Sequence, residues 1–236
     1  MPIYPSANLS PKIFDNDLDQ KPTRNGFGDG LVSAGDENPN VVALCADLTE
    51  STRIEAFAKK YPERFFEIGV AEQNLATVGS GFGVSGKVTF ISSYATFSPG
   101  RNWEQIRTTI AYNNSNVKIV GSHAGISVGP DGGAHQAVED IAITRVIPRM
   151  IVISRCDSVE AKKATVACVD VDAPVYLRRA REKTSVMTTD STPFEIGKAQ
   201  IFWDSDKPQV AIIATGALVH KALLAAQSLE KENINT

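Results

Sequence analysis

Short runs of Val, Ile, Leu and Ala alternate along this chain with longer stretches whose apolar positions recur every three or four residues. The runs "VVALCAD" (41–47), "RFFEIGV" (64–70), "KVTFISSY" (87–94), "VKIVGSH" (117–123), "MIVISRC" (150–156) and "APVYLRR" (173–179) read as strands. Between them "RIEAFAKKY", the segment from Glu72, "RNWEQIRTTIAY" and "AVEDIAITRVI" read as helices; Trp103, Ile106 and Ile110 share one helical face. Asp157 followed by Glu160 is a capping-box pattern and opens a further helix. Strands that are apolar throughout are buried on both faces. The pattern therefore predicts an α/β fold, a doubly wound and mostly parallel sheet.

The rhythm also divides the chain. Residues 1–21 are polar, hold three prolines and read as an irregular lead-in. The main domain is expected over 22–180 and a polar linker over 181–193. Beyond it "KAQIFWD" and "PQVAIIATG" read as strands and "ALVHKALLAAQSLEK" as a helix, the start of a second, incomplete α/β domain over 194–236.

Composition narrows the function classes. The chain has 236 residues, 42% hydrophobic and 22% charged, with net charge −3, enough for a substantial core. No stretch concentrates Lys or Arg, so nucleic acid is not an expected partner. No apolar run is long enough to span a bilayer, and the N-terminus lacks a signal-peptide layout. Cys45, Cys156 and Cys168 are an odd, widely spaced set, which fits a reducing compartment; a cytoplasmic location is expected.

In open α/β sheets ligands collect beyond the carboxyl ends of the strands. Four stretches fall there: "ADLTEST" (46–52), "VAEQN" (70–74), "SSYATFSPGR" (92–101) and the Gly-rich "SHAGISVGPDGGAHQ" (122–136). Each residue has a bland reading. Glu72 suits a helix N-terminus, Asp47 suits a turn, and Tyr94 and Phe97 suit a core. His123 and His135 bracket a loop shaped for close backbone approach, which favours a site, and their spacing is not that of a zinc centre. "GDG" (28–30) begins like a magnesium-diphosphate motif, but no Asn lies between Asn40 and Asn74 to complete it. Phe27 and Leu31 flank it at helical spacing, so Asp29 reads as a solvated helix residue. "GSGFGVSG" (79–86) reads as close helix packing rather than a nucleotide cradle.

The motifs "PERFFEIGVAEQN", "GRNWEQIR", "VKIVGSHAGISVGPDGGAHQAVEDIA" and "PVYLRRAR" lie in one order and spacing. Together they make the chain, from about Thr23 onward, resemble the transketolase family and in particular the separately encoded C-terminal half of split transketolases. The resemblance implies a pyrimidine-binding domain of thiamine diphosphate enzymes. Glu72 then matches the acid that hydrogen-bonds the aminopyrimidine ring, in an apolar site where a carboxyl group keeps its proton more readily. Tyr94 and Phe97 match aromatics that pack on that ring, the first being more often Phe. Asp47 matches an acid near the cofactor. His123 and His135, with Asp131 between them, match groups that bind sugar hydroxyls and move protons. Arg24, Ser51 and Arg178 match a phosphate grip, with Arg179 and Arg181 as adjacent alternatives. Pro130 and Ala134 stand where Glu and Thr are more usual.

The implied reaction is transfer of a two-carbon ketol unit from a ketose phosphate to an aldose phosphate. Without the metal motif, Mg2+ and the cofactor's diphosphate are expected from a separate N-terminal-type subunit, in a heterotetramer. Two alternatives stand beside it: another thiamine diphosphate subunit, of deoxyxylulose-phosphate synthase or 2-oxo acid dehydrogenase β type, and a non-catalytic assembly subunit.

Overall fold

The computed structural model describes residues 3–236, so the first two residues of the expected lead-in lie outside it. Six strands form one parallel sheet: β2 (Val41–Cys45), β3 (Phe65–Glu67), β4 (Val88–Tyr94), β5 (Val117–Ser122), β6 (Ile151–Ser154) and β7 (Val175–Arg178), in the order β3-β2-β4-β5-β7-β6. A small antiparallel ladder joins β1 (Gln20–Pro22) to β8 (Lys183–Ser185).

Period-two alternation explains how each strand feeds two cores. Val41, Ala43 and Cys45 face one side, where they meet Phe27, Leu31 and Ala34 of α1 (Thr23–Glu37) and Phe57 of α2 (Glu55–Lys60). Val42, Leu44 and Ala46 face the other, against Leu75 and Ala76 of α3 (Glu72–Val84). Ile106 and Ile110 join that second core from α4, which begins at Trp103–Gln105 and continues as a π-helix over Ile106–Ala111. α5 (Asp140–Arg145), α6 (Ser158–Ala167) and α7 (Leu218–Lys231) complete the helices.

The glycines of α1 serve packing: Gly28 and Gly30 of "GDG", and Gly26 just before it. A Cβ on Gly26 would stand 1.8 Å from the Ser158 carbonyl oxygen, and one on Gly30 would stand 2.8 Å from that of Lys162. The two glycines, one helical turn apart, let α1 lie directly on the backbone of α6. Asp29 points outward and is 61% exposed on its side chain, as its sequence context suggests. Gly26→Ala is therefore expected to destabilise the domain by about 3 kcal/mol, the cost of forcing a buried close contact apart. A shift of the urea midpoint equivalent to under ~0.5 kcal/mol, the range of a neutral surface change, would overturn this account of α1 and α6.

Two expectations need correction. The Asp157–Glu160 box is offset: Asp157 accepts from the Glu160 N–H at 2.9 Å, but Glu160 takes the N–H of Cys156 instead of that of Asp157. Asp157 is otherwise engaged, accepting from the backbone N–H groups of Met187 and Thr188 and from the Thr188 hydroxyl. It thereby pins the stretch read as a linker onto the domain, where Met187 packs with Ile13, Cys156 and Leu223. The second correction concerns "KAQIFWD" and "PQVAIIATG". Neither forms a ladder; Trp203 makes only an isolated bridge to Ile3, while Ile212 and Ile213 are 38% and 97% exposed. An apolar run becomes a strand only where a neighbouring strand supplies its hydrogen bonds; here the N–H groups of Gln209 and Val210 share the single carbonyl of Asn235, and no ladder follows. The helix expected beyond it is present as α7.

Candidate active site

The strand order sets β2, β4 and β5 side by side, so the turns at their carboxyl ends meet. Tyr94 ends β4 opposite Ser122, and His123 follows β5 directly. The Tyr94 and His123 rings stack with centroids 3.9 Å apart and planes at 26°. Phe97 lies beyond Tyr94, nearly coplanar in tilt, at 6.2 Å. His135, brought back by the Gly-rich loop, meets Phe97 edge-on at 5.3 Å and Tyr94 at 6.1 Å. The two imidazoles and two aromatic rings thus form one cluster.

Glu72 enters from α3. It is the first residue of the helix and only 2% exposed. Asn102 donates to its backbone carbonyl at 2.8 Å, and Arg101 Nη1 donates to its carboxylate oxygen at 2.7 Å. Its surroundings are therefore not wholly apolar as expected, since a guanidinium faces the carboxylate. The Arg101 guanidinium also lies 4.5 Å from the centre of the Phe97 ring, which links Glu72 to the aromatic cluster. Arg101 sits inside a quoted motif but has no sequence signal of its own: a charged residue just before a helix normally reads as solvated.

A cationic flank adjoins the rings. Arg24 Nη1 donates to the Ser51 carbonyl at 3.0 Å, and the Ser51 hydroxyl lies 2.7 Å from the Tyr94 hydroxyl. The Arg24 Nε is buried and unpartnered, as is His135 Nδ1. Arg24 is held below the usual guanidinium range first by burial, then by repulsion from Arg53 and Arg181, with Tyr94 and Glu182 opposing. Guanidinium groups that repel one another around an open donor make a site that an oxyanion would relax.

The three arginines named together in sequence separate in space. Arg178 Nε donates to Asp140 at 2.8 Å, and Tyr176 donates to the same oxygen at 2.7 Å, so Arg178 is tied to a buried carboxylate. Arg179 is fully buried, donates to the Thr52 carbonyl and the Ser92 hydroxyl, and stacks on Phe27. Arg181 lies beside Gly129 of the loop, and its charge reaches both Arg24 and His123. Arg181 is itself paired with Glu182 at 2.8 Å, but that carboxylate is half exposed whereas Asp140 beside Arg178 is buried. Asp47 and Asp131 are exposed, and neither side chain contacts the ring cluster among the described residues.

His123 is buried and its Nδ1 lies 2.9 Å from the Ser122 hydroxyl. Burial, and after it the charges of Arg24, Arg179, Arg181 and His135, lower its pKa to about 3. It is a neutral imidazole at physiological pH. Asp47, Arg53 and His123 all hold positive φ, at 54°, 62° and 58°. Such backbone costs about 1 kcal/mol or more per residue and is found where a site dictates the conformation. Glu67 steadies two of the loops, accepting from the Asp47 N–H at 2.7 Å, the Thr49 hydroxyl at 2.8 Å and the Gly69 N–H at 3.0 Å.

The donor set fits the flat, polar edge of an amino-heterocycle. Glu72 offers a buried carboxyl whose one side-chain partner, Arg101, is half exposed and free to turn outward, and Phe97 offers a ring face beside it. A divalent metal finds less here: no group of three or more His, Cys, Asp or Glu side chains gathers among the described residues.

The family model described as the transketolase pyrimidine-binding domain matches residues 19–186. The chain is 44% identical over 217 residues to the transketolase C-terminal section of Methanocaldococcus jannaschii, covering 91% of this chain and 68% of that protein. It is 34% identical over 236 residues to human transketolase, all of this chain but 36% of the human protein. Over 221 residues it is 34% identical to the 6-deoxy-6-sulfo-D-fructose transketolase subunit of Clostridium sp., covering 94% of this chain and 68% of that subunit. A solved structure described as a split gene transketolase, inactive beta4 tetramer, superposes with TM-score 0.82 at 41% identity, over 91% of this chain and 68% of that one.

Proposed function

Because the chain belongs to the transketolase family, we propose that it is the C-terminal-half subunit of a two-subunit transketolase. It would transfer a two-carbon ketol unit from a ketose phosphate to an aldose phosphate, and only together with a diphosphate-domain partner. The observation that carries the reading is the convergence of Glu72, the Tyr94–Phe97 wall, both histidines and the Arg24–Ser51 flank at one sheet edge. Membership of the family implies thiamine diphosphate. When bound, that cofactor supplies a nucleophilic carbon and an electron sink for cleaving a carbon–carbon bond beside a carbonyl.

The chain's own residues do the rest. Glu72 presents its carboxyl to the aminopyrimidine and fixes the ring's orientation, while Phe97 and Tyr94 hold its face and exclude water. His123, neutral and braced by Ser122, gives and takes hydrogen bonds at a sugar hydroxyl without bringing charge. His135, with a free Nδ1, is placed to accept or return a proton at the reacting end. Asp47 and Asp131, from flanking loops, would meet the cofactor and the sugar as the complex closes. Arg24, Ser51 and Arg181, with Arg178 behind the loop, hold the terminal oxyanion. Phosphate is the expected anion; the Clostridium relative is named for a sulfo-sugar, whose far end is a sulfonate.

The relatives also support a partner. In this reading Mg2+ and the diphosphate are held mainly by the partner polypeptide, as expected of relatives that are themselves transketolase sections and subunits. The β4 assembly described as inactive for the split-gene relative is what this reading expects of one half alone, and a heterotetramer with the other half is the expected working form. No helix of the described residues is long and apolar enough to cross a membrane; a cytoplasmic enzyme of sugar phosphates remains the proposed setting. The decarboxylating and assembly-only alternatives are not favoured, since the relatives are transketolase sections.

The test is reconstitution. The chain alone with thiamine diphosphate and Mg2+ should give no ketol transfer from xylulose 5-phosphate, and the pair with its N-terminal-type partner should give steady turnover. Turnover by the chain alone would remove the partner from the reading. Carbon dioxide release from pyruvate by the pair, without ketol transfer, would replace it with a decarboxylating role.

A further inference from the structure

We infer that Tyr94 is a specificity-determining residue, whose hydroxyl holds Ser51 so that the serine O–H donates to the oxyanion at the far end of the sugar. The inference rests on the anion subsite proposed above and goes beyond it, because it couples that subsite to the ring wall. The ring face of Tyr94 is already engaged by the His123 imidazole at 3.9 Å, and Phe would keep that contact. What Tyr adds is the hydroxyl, and that hydroxyl reaches Ser51 Oγ at 2.7 Å.

Proton counting gives the direction. Two hydroxyls bring two protons, and the bond between them uses one. Either Ser51 donates to Tyr94 and the phenol proton is free, or Tyr94 donates to Ser51 and the serine proton is free. Arg24 binds the carbonyl of the same Ser51 at 3.0 Å, and its Nε is an open donor beside it. An oxyanion drawn in by Arg24 and Arg181 selects the second arrangement, which places a third donor on the same residue that Arg24 grips. A hydroxyl that accepts one bond also becomes a stronger donor in the next, so the phenol sharpens the serine's hold.

The consequence is selective. Loss of the phenol oxygen should weaken binding of sugars that carry a terminal oxyanion more than binding of neutral ones. The experiment compares Tyr94→Phe, Ser51→Ala and the double variant in the reconstituted two-subunit enzyme. KM is measured for xylulose 5-phosphate and for a neutral ketose donor, xylulose without its phosphate, with Ki for inorganic phosphate as a readout that does not involve the sugar. A sulfonated ketose as a further substrate separates a general oxyanion grip from one for phosphate. The ratio of the two KM values should rise about tenfold or more in Ser51→Ala, the scale of one lost hydrogen bond to a charged group, and by a smaller factor in Tyr94→Phe, which leaves the serine donor in place but unheld. The double variant should match Ser51→Ala alone, because without the serine O–H the phenol has no donor left to hold, and Ki for phosphate should rise in parallel. Equal change for charged and neutral substrates in Tyr94→Phe, or strict additivity in the double variant, would overturn the inference while leaving the subsite intact. No effect of Ser51→Ala on the ratio would instead overturn the subsite reading itself.

Discussion

Replacing Glu72 by alanine is expected to lower kcat of the reconstituted enzyme by about 10²- to 10⁴-fold, the usual contribution of a positioned acid–base group, with the fold intact. The position dictates both halves of that statement. The carboxyl is 2% exposed at the first turn of α3, where no water can take its place with the same alignment. Its partner Arg101 is 48% exposed, so once unpaired it is solvated rather than stranded. Half-exposed ion pairs contribute about 1 kcal/mol or less, small against the ~5–15 kcal/mol that holds a domain together. Glu72→Gln keeps the shape and the bond to Arg101 but loses the acid, and it should show the same loss of kcat. Near-normal turnover in either variant, with circular dichroism unchanged, would return Glu72 to the ordinary role of a helix N-terminal acid and favour an assembly subunit.

The second large effect is on stability in acid. An unfolded histidine titrates near 6.5, while His123 in the fold titrates at about 3 because burial, and then the charges around it, disfavour the imidazolium. Between those values the unfolded chain binds a proton that the folded one refuses. Stability is therefore fully present above pH ~6.5 and is lost as pH falls towards 3, at about 1.4 kcal/mol for each pH unit between the two pKa values. His123→Gln keeps a hydrogen-bonding side chain and cannot titrate. In urea unfolding from pH 7.5 to 4, the wild-type chain should lose several kcal/mol more than the variant. Parallel curves would mean that His123 is protonated in the fold, and would remove the neutral imidazole from the proposed mechanism.

The elements that were plain in the sequence are those whose side chains settle their own environment. Apolar runs gave all six parallel strands: β2, β4, β5 and β7 are largely buried in the centre of the sheet, while the edge strands β3 and β6 are half-buried and were legible from their Phe and Ile content. The run at 209–216 is as apolar, yet makes no ladder; a strand's hydrogen bonds belong to its neighbours, and these are not encoded in the run itself. The stacking of Tyr94 on His123 could be anticipated only as two residues at one sheet edge, since the 3.9 Å contact depends on β4 and β5 being adjacent. Arg178 and Arg181 show the opposite limit. Three residues apart in sequence, one is drawn back to Asp140 and the other lies along the loop, a division made by a carboxylate 38 residues upstream of Arg178. Arg101 and Glu67 carried no signal, because an exposed charge gives no hint of what it will bind.

Glu67 sets the gauge of the site. Its single carboxylate clasps the turn that leads to Ser51 and the turn that leads to Glu72. In the proposed enzyme one turn would serve the tail of a sugar and the other the cofactor ring beside its carbonyl, so the reach between them would be set by a residue that touches neither. Chain length in the substrate would then be measured against a brace at the sheet's rim. Lengthening or shortening that brace would retune which sugars fit without altering any group that meets them.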